Sequence, residues 1–207
     1  MQGSQETKAV ELPFGKTIYQ SSTSQGISSD SAFLVEIVLK EEDELPQRVL
    51  DLGSGNGIIS LMLKHYRSEW EVCGIEILSS LVQLAENNSR LCEEDVAFIE
   101  ADIKDFTSQQ PNDLIVSNPP YLPRGKGRIS PIYERAIARH DILCELSDIV
   151  KCLKRNLADK GRAYFCYLSS KTKEIKELVE QENMVLDKIY PDLSCQKEKT
   201  SIFRIRK

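Results

Sequence analysis

The segment VLDLGSGNG, residues 49–57, joins an apolar strand pattern to three glycines at alternate positions, and helical spacing of apolar residues continues to Tyr66. Glycines permit a tight turn between strand and helix and let a ligand approach the backbone. Ile58 stands where a dinucleotide-binding loop carries its third glycine, and no Gly-Lys-Ser/Thr follows as in a P-loop. The segment therefore predicts a ligand loop that fits NAD imperfectly and is not a triphosphate loop.

Strands and helices alternate after this segment. Alternation of this kind is typical of a mainly parallel sheet with helices on both faces. The predicted strands are Arg48–Leu52, Glu71–Ile75, Val96–Glu100, Asp113–Ser117, Gly161–Leu168, Val185–Tyr190 and Ile202–Ile205, and the predicted helices are Asn56–Tyr66, Leu78–Leu91, His140–Asn156 and Lys171–Gln181. No helix separates the last two strands, so a hairpin-like connection would make the end strand antiparallel. The sequence therefore predicts an α/β, Rossmann-like fold with a seven-stranded, mainly parallel sheet and one antiparallel strand.

Residues 1–28 are expected to form a partly flexible N-terminal extension, with residues 1–13 loosely ordered. Ser29 or Asp30 can cap a helix whose apolar residues continue to Val38. The main domain is therefore predicted to span residues 29–207.

Composition limits the class of protein. The chain has 207 residues, 41% hydrophobic residues and a net charge of −5. It contains no apolar run near the ~20 residues that span a bilayer, and no signal-peptide pattern, which favours a cytoplasmic protein without membrane contact. Two histidines and the absence of a C-x-x-C pair make a metal site unexpected. A nucleic-acid partner would need a local basic patch, and Arg124-Gly-Lys126-Gly-Arg128 offers one.

A second informative stretch is Asn118-Pro119-Pro120-Tyr121, which follows the apolar run Leu114–Val116. Prolines end a strand because they donate no ladder hydrogen bond, and the residue before a proline adopts an extended conformation. The result is a stiff elbow that presents an amide and an aromatic ring at the mouth of a sheet. The amide oxygen and a backbone carbonyl can accept hydrogen bonds from an NH2 group while the tyrosine stacks on a planar ring.

Two acidic residues follow strands of the same predicted sheet. Glu76 ends the second strand, where a carboxylate can accept both hydroxyls of a ribose, and Asp102 follows the third, where it can accept an adenine amino group. Ligands of such sheets bind at the carboxyl ends of the strands, which is where the glycine loop and Asn118 also fall.

Together these elements resemble the S-adenosylmethionine site of class I methyltransferases with an Asn-Pro-Pro-Tyr motif. The resemblance implies S-adenosylmethionine as cofactor and S-adenosylhomocysteine as product. It implies that the glycine loop packs against the methionine part, Glu76 binds ribose and Asp102 contacts adenine. The cofactor-binding residues implied are Asp51, Gly53, Gly55, Gly57, Glu76, Ile77, Asp102, Ile103 and Asn118.

The motif resembles that of enzymes that methylate adenine N6, cytosine N4, guanine N2 or glutamine side chains. Residues 133–141 and 25–34 resemble segments of the bacterial enzymes that methylate adenine N6 in valine tRNA, which favours tRNA as the partner. A release-factor glutamine methyltransferase and an rRNA base methyltransferase are the alternatives. A cofactor-binding scaffold without catalysis would not need the Asn118 elbow.

The resemblance assigns catalysis to Asn118, Pro119 and Tyr121. The predicted substrate-binding residues are Pro120, Tyr121, Arg124, Lys126, Arg128, Arg135 and Arg139. Arg135 and Arg139 lie one helical turn apart, so they can contact phosphates or pair with acidic neighbours on the surface.

Overall fold

The computed structural model describes residues 7–21, 29–45, 47–119, 144–192 and 200–207. Its first element is a β-hairpin in which β1 (Thr7–Glu11) pairs antiparallel with β2 (Thr17–Ser21). Gly15 has φ +80° in the connecting turn, a left-handed conformation that favours glycine.

The hairpin corrects one prediction. Loose order was expected for residues 1–13, but residues 7–11 form a strand. Leu12 and Ile18 hold the hairpin in place because both are buried in the same core cluster as the main domain. Most of its other side chains are exposed, so the hairpin carries too few apolar residues to give a clear strand pattern.

Seven strands of the described chain form the main sheet. They are β3 (Arg48–Leu52), β4 (Glu71–Glu76), β5 (Val96–Glu100), β6 (Asn112–Ser117), β7 (Leu157–Leu168), β8 (Val185–Pro191) and β9 (Thr200–Arg206). Their order is β5-β4-β3-β6-β7-β9-β8. Neighbours from β5 to β7 are parallel, whereas β9 runs antiparallel to both β7 and β8. The predicted seven-stranded, mainly parallel sheet with one antiparallel strand is confirmed.

The antiparallel strand β9 is the last in the chain but does not lie at the edge of the sheet. It lies between β7 and β8. Ile202, Phe203 and Ile205 of β9 are fully buried, whereas Val185 and Ile189 of β8 are exposed. The more apolar strand therefore takes the interior position, where both of its faces are covered.

Five α-helices lie in the described ranges. They are α1 (Ser29–Glu41), α2 (Ile58–Tyr66), α3 (Ser79–Cys92), α4 (Leu146–Asn156) and α5 (Thr172–Gln181). The helices pack on both faces of the sheet. One buried cluster joins the hairpin, α1, α2 and α3 to the sheet, and a second joins α4 and α5 to the opposite face. None of the helices in these ranges is both long and apolar enough to cross a membrane.

Several predicted boundaries differ from the structure, mostly by one or two residues, and three of them are informative. Helix α2 begins at Ile58 rather than Asn56, because Gly57 has φ +84° and cannot continue a right-handed helix. Helix α4 begins at Leu146, because Glu145 is extended and its N–H donates to Asp148 Oδ2 at 3.0 Å, as at a helix start. The predicted residues 140–143 of this helix lie outside the described residues. Strand β7 begins at Leu157, four residues earlier than predicted, with an irregular register opposite β6.

Candidate active site

The candidate site lies at the carboxyl ends of four adjacent strands, β5, β4, β3 and β6. Leu52, the last residue of β3, pairs in register with Ile75 of β4 and Ser117 of β6. The Ser117 hydroxyl also donates to the Leu52 carbonyl at 2.8 Å. Since Gly53 follows Leu52 and Asn118 follows Ser117, the glycine loop and the start of the Asn-Pro-Pro-Tyr elbow leave the sheet side by side.

The glycines of the loop have two different roles. Gly53 and Gly55 have φ +72° and +56°, and a Cβ atom on either would meet nothing within 4 Å. They therefore border open space in which a ligand can approach the backbone. A Cβ on Gly57 would instead lie 2.7 Å from Phe98 Cζ, so this glycine is required for packing against β5.

Glu76 connects the loop to the start of α3. Its side chain is 5% exposed. Oε2 accepts the Gly55 N–H at 3.0 Å, and Oε1 accepts the Leu78 N–H at 3.0 Å. Burial raises the pKa of the carboxyl, while hydrogen bonds from the backbone of Leu78, Gly55 and Ile77 act in the opposite direction. Each carboxylate oxygen has a second lone pair that can accept a hydroxyl of a ribose.

Asp51 lies beneath the loop and is 0% exposed. The Ser60 hydroxyl of α2 donates to its Oδ2 at 2.6 Å. Its Oδ1 and the Ser54 hydroxyl are buried without a hydrogen-bond partner among the described residues. Burial, with a smaller contribution from the charge on Glu76, raises the pKa of Asp51 to about 7.

Asp102 begins a loop after β5 that is held by several hydrogen bonds. The Ala101 N–H donates to the Glu76 carbonyl at 3.0 Å, which keeps the ends of β4 and β5 together. Asp102 Oδ1 accepts the Lys104 N–H at 2.9 Å, so one oxygen stabilises its own turn. The Arg155 guanidinium of α4 donates to the Ile103 carbonyl at 2.7 Å and fixes the loop against the second face of the sheet.

Asn118 is half-buried and its side chain contacts α1. Its Nδ2 donates to the Ser31 hydroxyl at 2.9 Å. Pro119 is buried. The other predicted substrate residues, Pro120, Tyr121, Arg124, Lys126, Arg128, Arg135 and Arg139, lie outside the described residues.

Asn88 of α3 is a site residue that sequence reasoning missed. It is fully buried. Its Oδ1 accepts the Tyr19 N–H at 2.8 Å, and its Nδ2 donates to the Tyr19 carbonyl at 2.8 Å and to the Asn56 carbonyl at 3.0 Å. Asn88 thereby joins the N-terminal hairpin to the glycine loop.

These features fit S-adenosylmethionine. Asp51 Oδ1 and Ser54 Oγ are buried acceptors suited to a cationic group, Gly53 and Gly55 leave space, and Glu76 offers lone pairs to a ribose. In the described ranges, no group of three His, Cys, Asp or Glu side chains could hold a metal ion.

The strand order and the glycine loop followed by acidic strand ends define the Rossmann-like class of methyltransferase folds. A family model described as methyltransferase small domain matches residues 22–140, more than half of the 207 residues. The chain therefore belongs to the methyltransferase small domain family, which confirms the predicted class of methyltransferase.

Two curated relatives represent the two main substrate alternatives. The release factor glutamine methyltransferase of Flavobacterium psychrophilum is 28% identical over 199 residues, covering 88% of this chain and 68% of that protein. The tRNA1(Val) (adenine(37)-N6)-methyltransferase of Aeromonas hydrophila is 36% identical over 118 residues, covering 56% of this chain and 49% of that protein. The chain spans from about a quarter to about two thirds of the length of the curated relatives it matches.

Among solved structures, the chain resembles a 16S rRNA N2 methyltransferase of T. thermophilus in complex with AdoMet and guanosine. The TM-score is 0.70 at 17% identity, and the match covers 98% of this chain and 50% of that one. The likeness supports the fold and extends across almost the whole chain.

Proposed function

We propose that this protein transfers a methyl group from S-adenosylmethionine to an exocyclic or side-chain amino nitrogen. The observation that carries the proposal is the hydrogen bond from Ser117 Oγ to the Leu52 carbonyl. It keeps Asn118 next to the glycine loop, so an amine held by Asn118 would lie beside a cofactor held by Asp51, the loop and Glu76. Proximity and alignment of this kind can supply several kcal/mol of barrier lowering.

The cofactor would supply an electrophilic methyl group on a sulfonium. The chain's own residues would align the nucleophile. An exocyclic amine is a weak nucleophile because its lone pair is delocalised, and acceptors on its hydrogens direct that lone pair at the methyl. Asn118 Oδ1 and the Pro119 carbonyl are the proposed acceptors. The N–CH3 bond would form as the S–CH3 bond breaks, and the methylated amine would then lose a proton to solvent, so no general base would be required.

Adenine N6 in tRNA is the proposed substrate, and the reaction would then take place in the cytoplasm. The similarity to the tRNA1(Val) enzyme and the basic cluster Arg124, Lys126 and Arg128 support it. Tyr121 and Pro120 would stack on the base, while Arg135 and Arg139 would contact phosphates. Several such contacts predict that RNA affinity falls steeply with salt concentration. Salt-independent binding would contradict an RNA substrate.

A release-factor glutamine is the second candidate substrate, because a curated relative that matches over 88% of this chain is a release factor glutamine methyltransferase. The chemistry is the same, since a glutamine amide is also a planar group with an NH2. The proposed Asn118 acceptors would then bind a side chain rather than a base.

The test is transfer of radiolabelled methyl from S-adenosylmethionine to unmodified bacterial tRNA, with a release factor and ribosomal RNA as parallel acceptors. Labelled N6-methyladenosine from tRNA would support the main proposal, and labelled N5-methylglutamine would select the second candidate. An Asn118→Ala variant is the control: its cofactor affinity should be nearly unchanged, whereas transfer to every acceptor should be lost. Loss of both properties together would contradict the role proposed for Asn118.

A further inference from the structure

The side chain of Asn118 is held by a residue far away in the chain. Asn118 Nδ2 donates to Ser31 Oγ at 2.9 Å, although 87 positions separate the two residues. Ser31 is 6% exposed, and Asn118 is half-buried. Water has little access to Ser31, so the contact restrains the Asn118 amide, and with the Ser31 hydroxyl oxygen as acceptor the amide NH2 faces α1.

Helix α1 gives the Ser31 hydroxyl a fixed position. At its N-terminus, Asp30 Oδ1 accepts the Thr200 hydroxyl of β9 at 3.1 Å. Just beyond its C-terminus, the buried Glu42 carboxylate accepts Arg162 Nε at 2.7 Å and the Tyr164 hydroxyl at 2.6 Å, both from β7. The helix is therefore tied to the sheet at both ends.

Packing along α1 also restrains this helix. Leu34 and Val38, which follow Ser31 on the same face at helical spacing, are both 0% exposed. A hydroxyl on that face has little freedom to move relative to β6, where Asn118 begins the elbow.

We propose that Ser31 is a positioning residue for the Asn118 amide, an inference that rests on the proposed methyl transfer. The terminal torsion of asparagine is broad and roughly two-fold, so an unrestrained amide can present either its oxygen or its NH2 to the substrate. With Nδ2 held by Ser31, Oδ1 is on the other branch of the amide and can accept from the substrate amine. In the reversed orientation, the NH2 of Asn118 would face the NH2 of the substrate, so Asn118 could not accept a hydrogen bond or direct the lone pair of the substrate nitrogen at the methyl group.

The test compares Ser31→Thr with Ser31→Val in the full chain. Thr and Val have nearly the same shape, so the difference between them isolates the hydroxyl from the added volume. The valine variant is expected to lower kcat about tenfold relative to the threonine variant, the size of effect that one hydrogen bond can have on a rate. Its S-adenosylmethionine affinity should be unchanged. Ser29→Ala, at an exposed serine of the same helix, is the matched control and should keep wild-type kcat.

A second readout does not depend on the acceptor. The side-chain amide resonances of Asn118, assigned by NMR through Asn118→Ala, should shift in the valine variant and remain in place in the threonine variant. Equal kcat in the two variants, or an amide signal that does not differ between them, would overturn the inference. If the wild-type protein methylates none of the three acceptors, the proposed function fails, and the amide signal alone then decides whether Ser31 holds Asn118.

Discussion

Replacing Asp51 with asparagine should stabilise the cofactor-free protein at neutral pH while weakening cofactor binding. The side chain is 0% exposed, and Ser60 donates to one of its oxygens while the other has no partner among the described residues. An asparagine at this position would preserve the shape and can still accept the Ser60 hydrogen bond through its own oxygen. The substitution removes the buried negative charge.

The magnitude follows from the pKa. Burial raises the pKa of Asp51 from its ordinary value of 3.8 to about 7 in the folded chain. Between these values the unfolded chain is ionised while the folded chain holds the proton, so the folded state binds more protons and loses stability as pH rises. A difference of about three pH units corresponds to about 4 kcal/mol at 1.36 kcal/mol per unit. The loss begins near pH 4 and is complete above pH 7.

Urea unfolding at pH 5 and pH 8 measures this effect. The unfolding free energy of the wild type should fall with pH relative to that of Asp51→Asn, and the gap should be near its full value at pH 8. Asp95→Asn, at an exposed carboxylate, is the matched control and should run parallel to the wild type.

Calorimetric titration with S-adenosylmethionine measures the second predicted effect, the weaker cofactor binding of Asp51→Asn. A cationic group next to Asp51 favours the ionised carboxyl, so wild-type affinity should rise as pH increases towards 7 and level off above it. A hydrogen bond to a charged group contributes about 1.5–3 kcal/mol, so Asp51→Asn should bind roughly ten- to hundredfold more weakly at pH 8. Parallel stability profiles for wild type and variant, or equal affinities at pH 8, would refute the reasoning.

Three further substitutions test the structural contacts around the site. Asn88→Ala should lower the unfolding free energy by about 2–3 kcal/mol and weaken cofactor binding, because the backbone carbonyls of Tyr19 in the hairpin and Asn56 in the glycine loop lose their hydrogen-bond donor. An unchanged cofactor Kd would contradict the link to the loop. Glu42→Gln should lower the unfolding free energy, measured in urea, by about 2 kcal/mol. This is less than the loss expected for a fully buried ion pair, because the partner Arg162 is partly exposed. Cofactor affinity should not change, and weaker cofactor binding would contradict a purely structural role for Glu42. Gly57→Ala should lower Tm more than Gly53→Ala. Both substitutions add backbone strain of about 1–3 kcal/mol, but only an alanine at position 57 also clashes with Phe98. Equal Tm values would count against the packing role of Gly57.

The strands of the parallel part of the sheet could be predicted from the sequence because each is a short, mainly apolar run that ends at a polar residue or a glycine. Arg48–Leu52 and Val96–Glu100 match the structure at both ends. Glu76, Asp102 and Asn118 were predicted to share one edge because the carboxyl ends of parallel strands do so. In the structure, Glu76 accepts a hydrogen bond from Gly55 within the glycine loop. Ser117, which precedes Asn118, donates to Leu52, which precedes the loop.

The hairpin could not be predicted because its signal is not local, and the start of α4 was missed because the apolar pattern extends beyond a local capping pair. The hairpin depends on two buried apolar side chains and on Asn88, which lies 69 positions away from Tyr19. The start of α4 is marked by a capping box, in which the Glu145 N–H donates to the Asp148 side chain and the Glu145 side chain accepts the Asp148 N–H, but the apolar pattern continues N-terminally past it. Propensity and periodicity carry little information about either contact.

The residues that support the site have a sequence signal of a different kind. Ser31, Ser60 and Asn88 are polar, yet each lies on the buried side of a helix, in α1, α2 and α3 respectively. A buried polar group needs a hydrogen-bond partner, and each of these three side chains has one in another element of the fold. The three partners are Asn118, Asp51 and the Asn56 carbonyl, which all lie at the carboxyl edge of the sheet or in the loop that leaves it. Each helix on this face of the sheet therefore sends a polar side chain to the candidate site, and the geometry of the site depends on helix packing as well as on the strand ends.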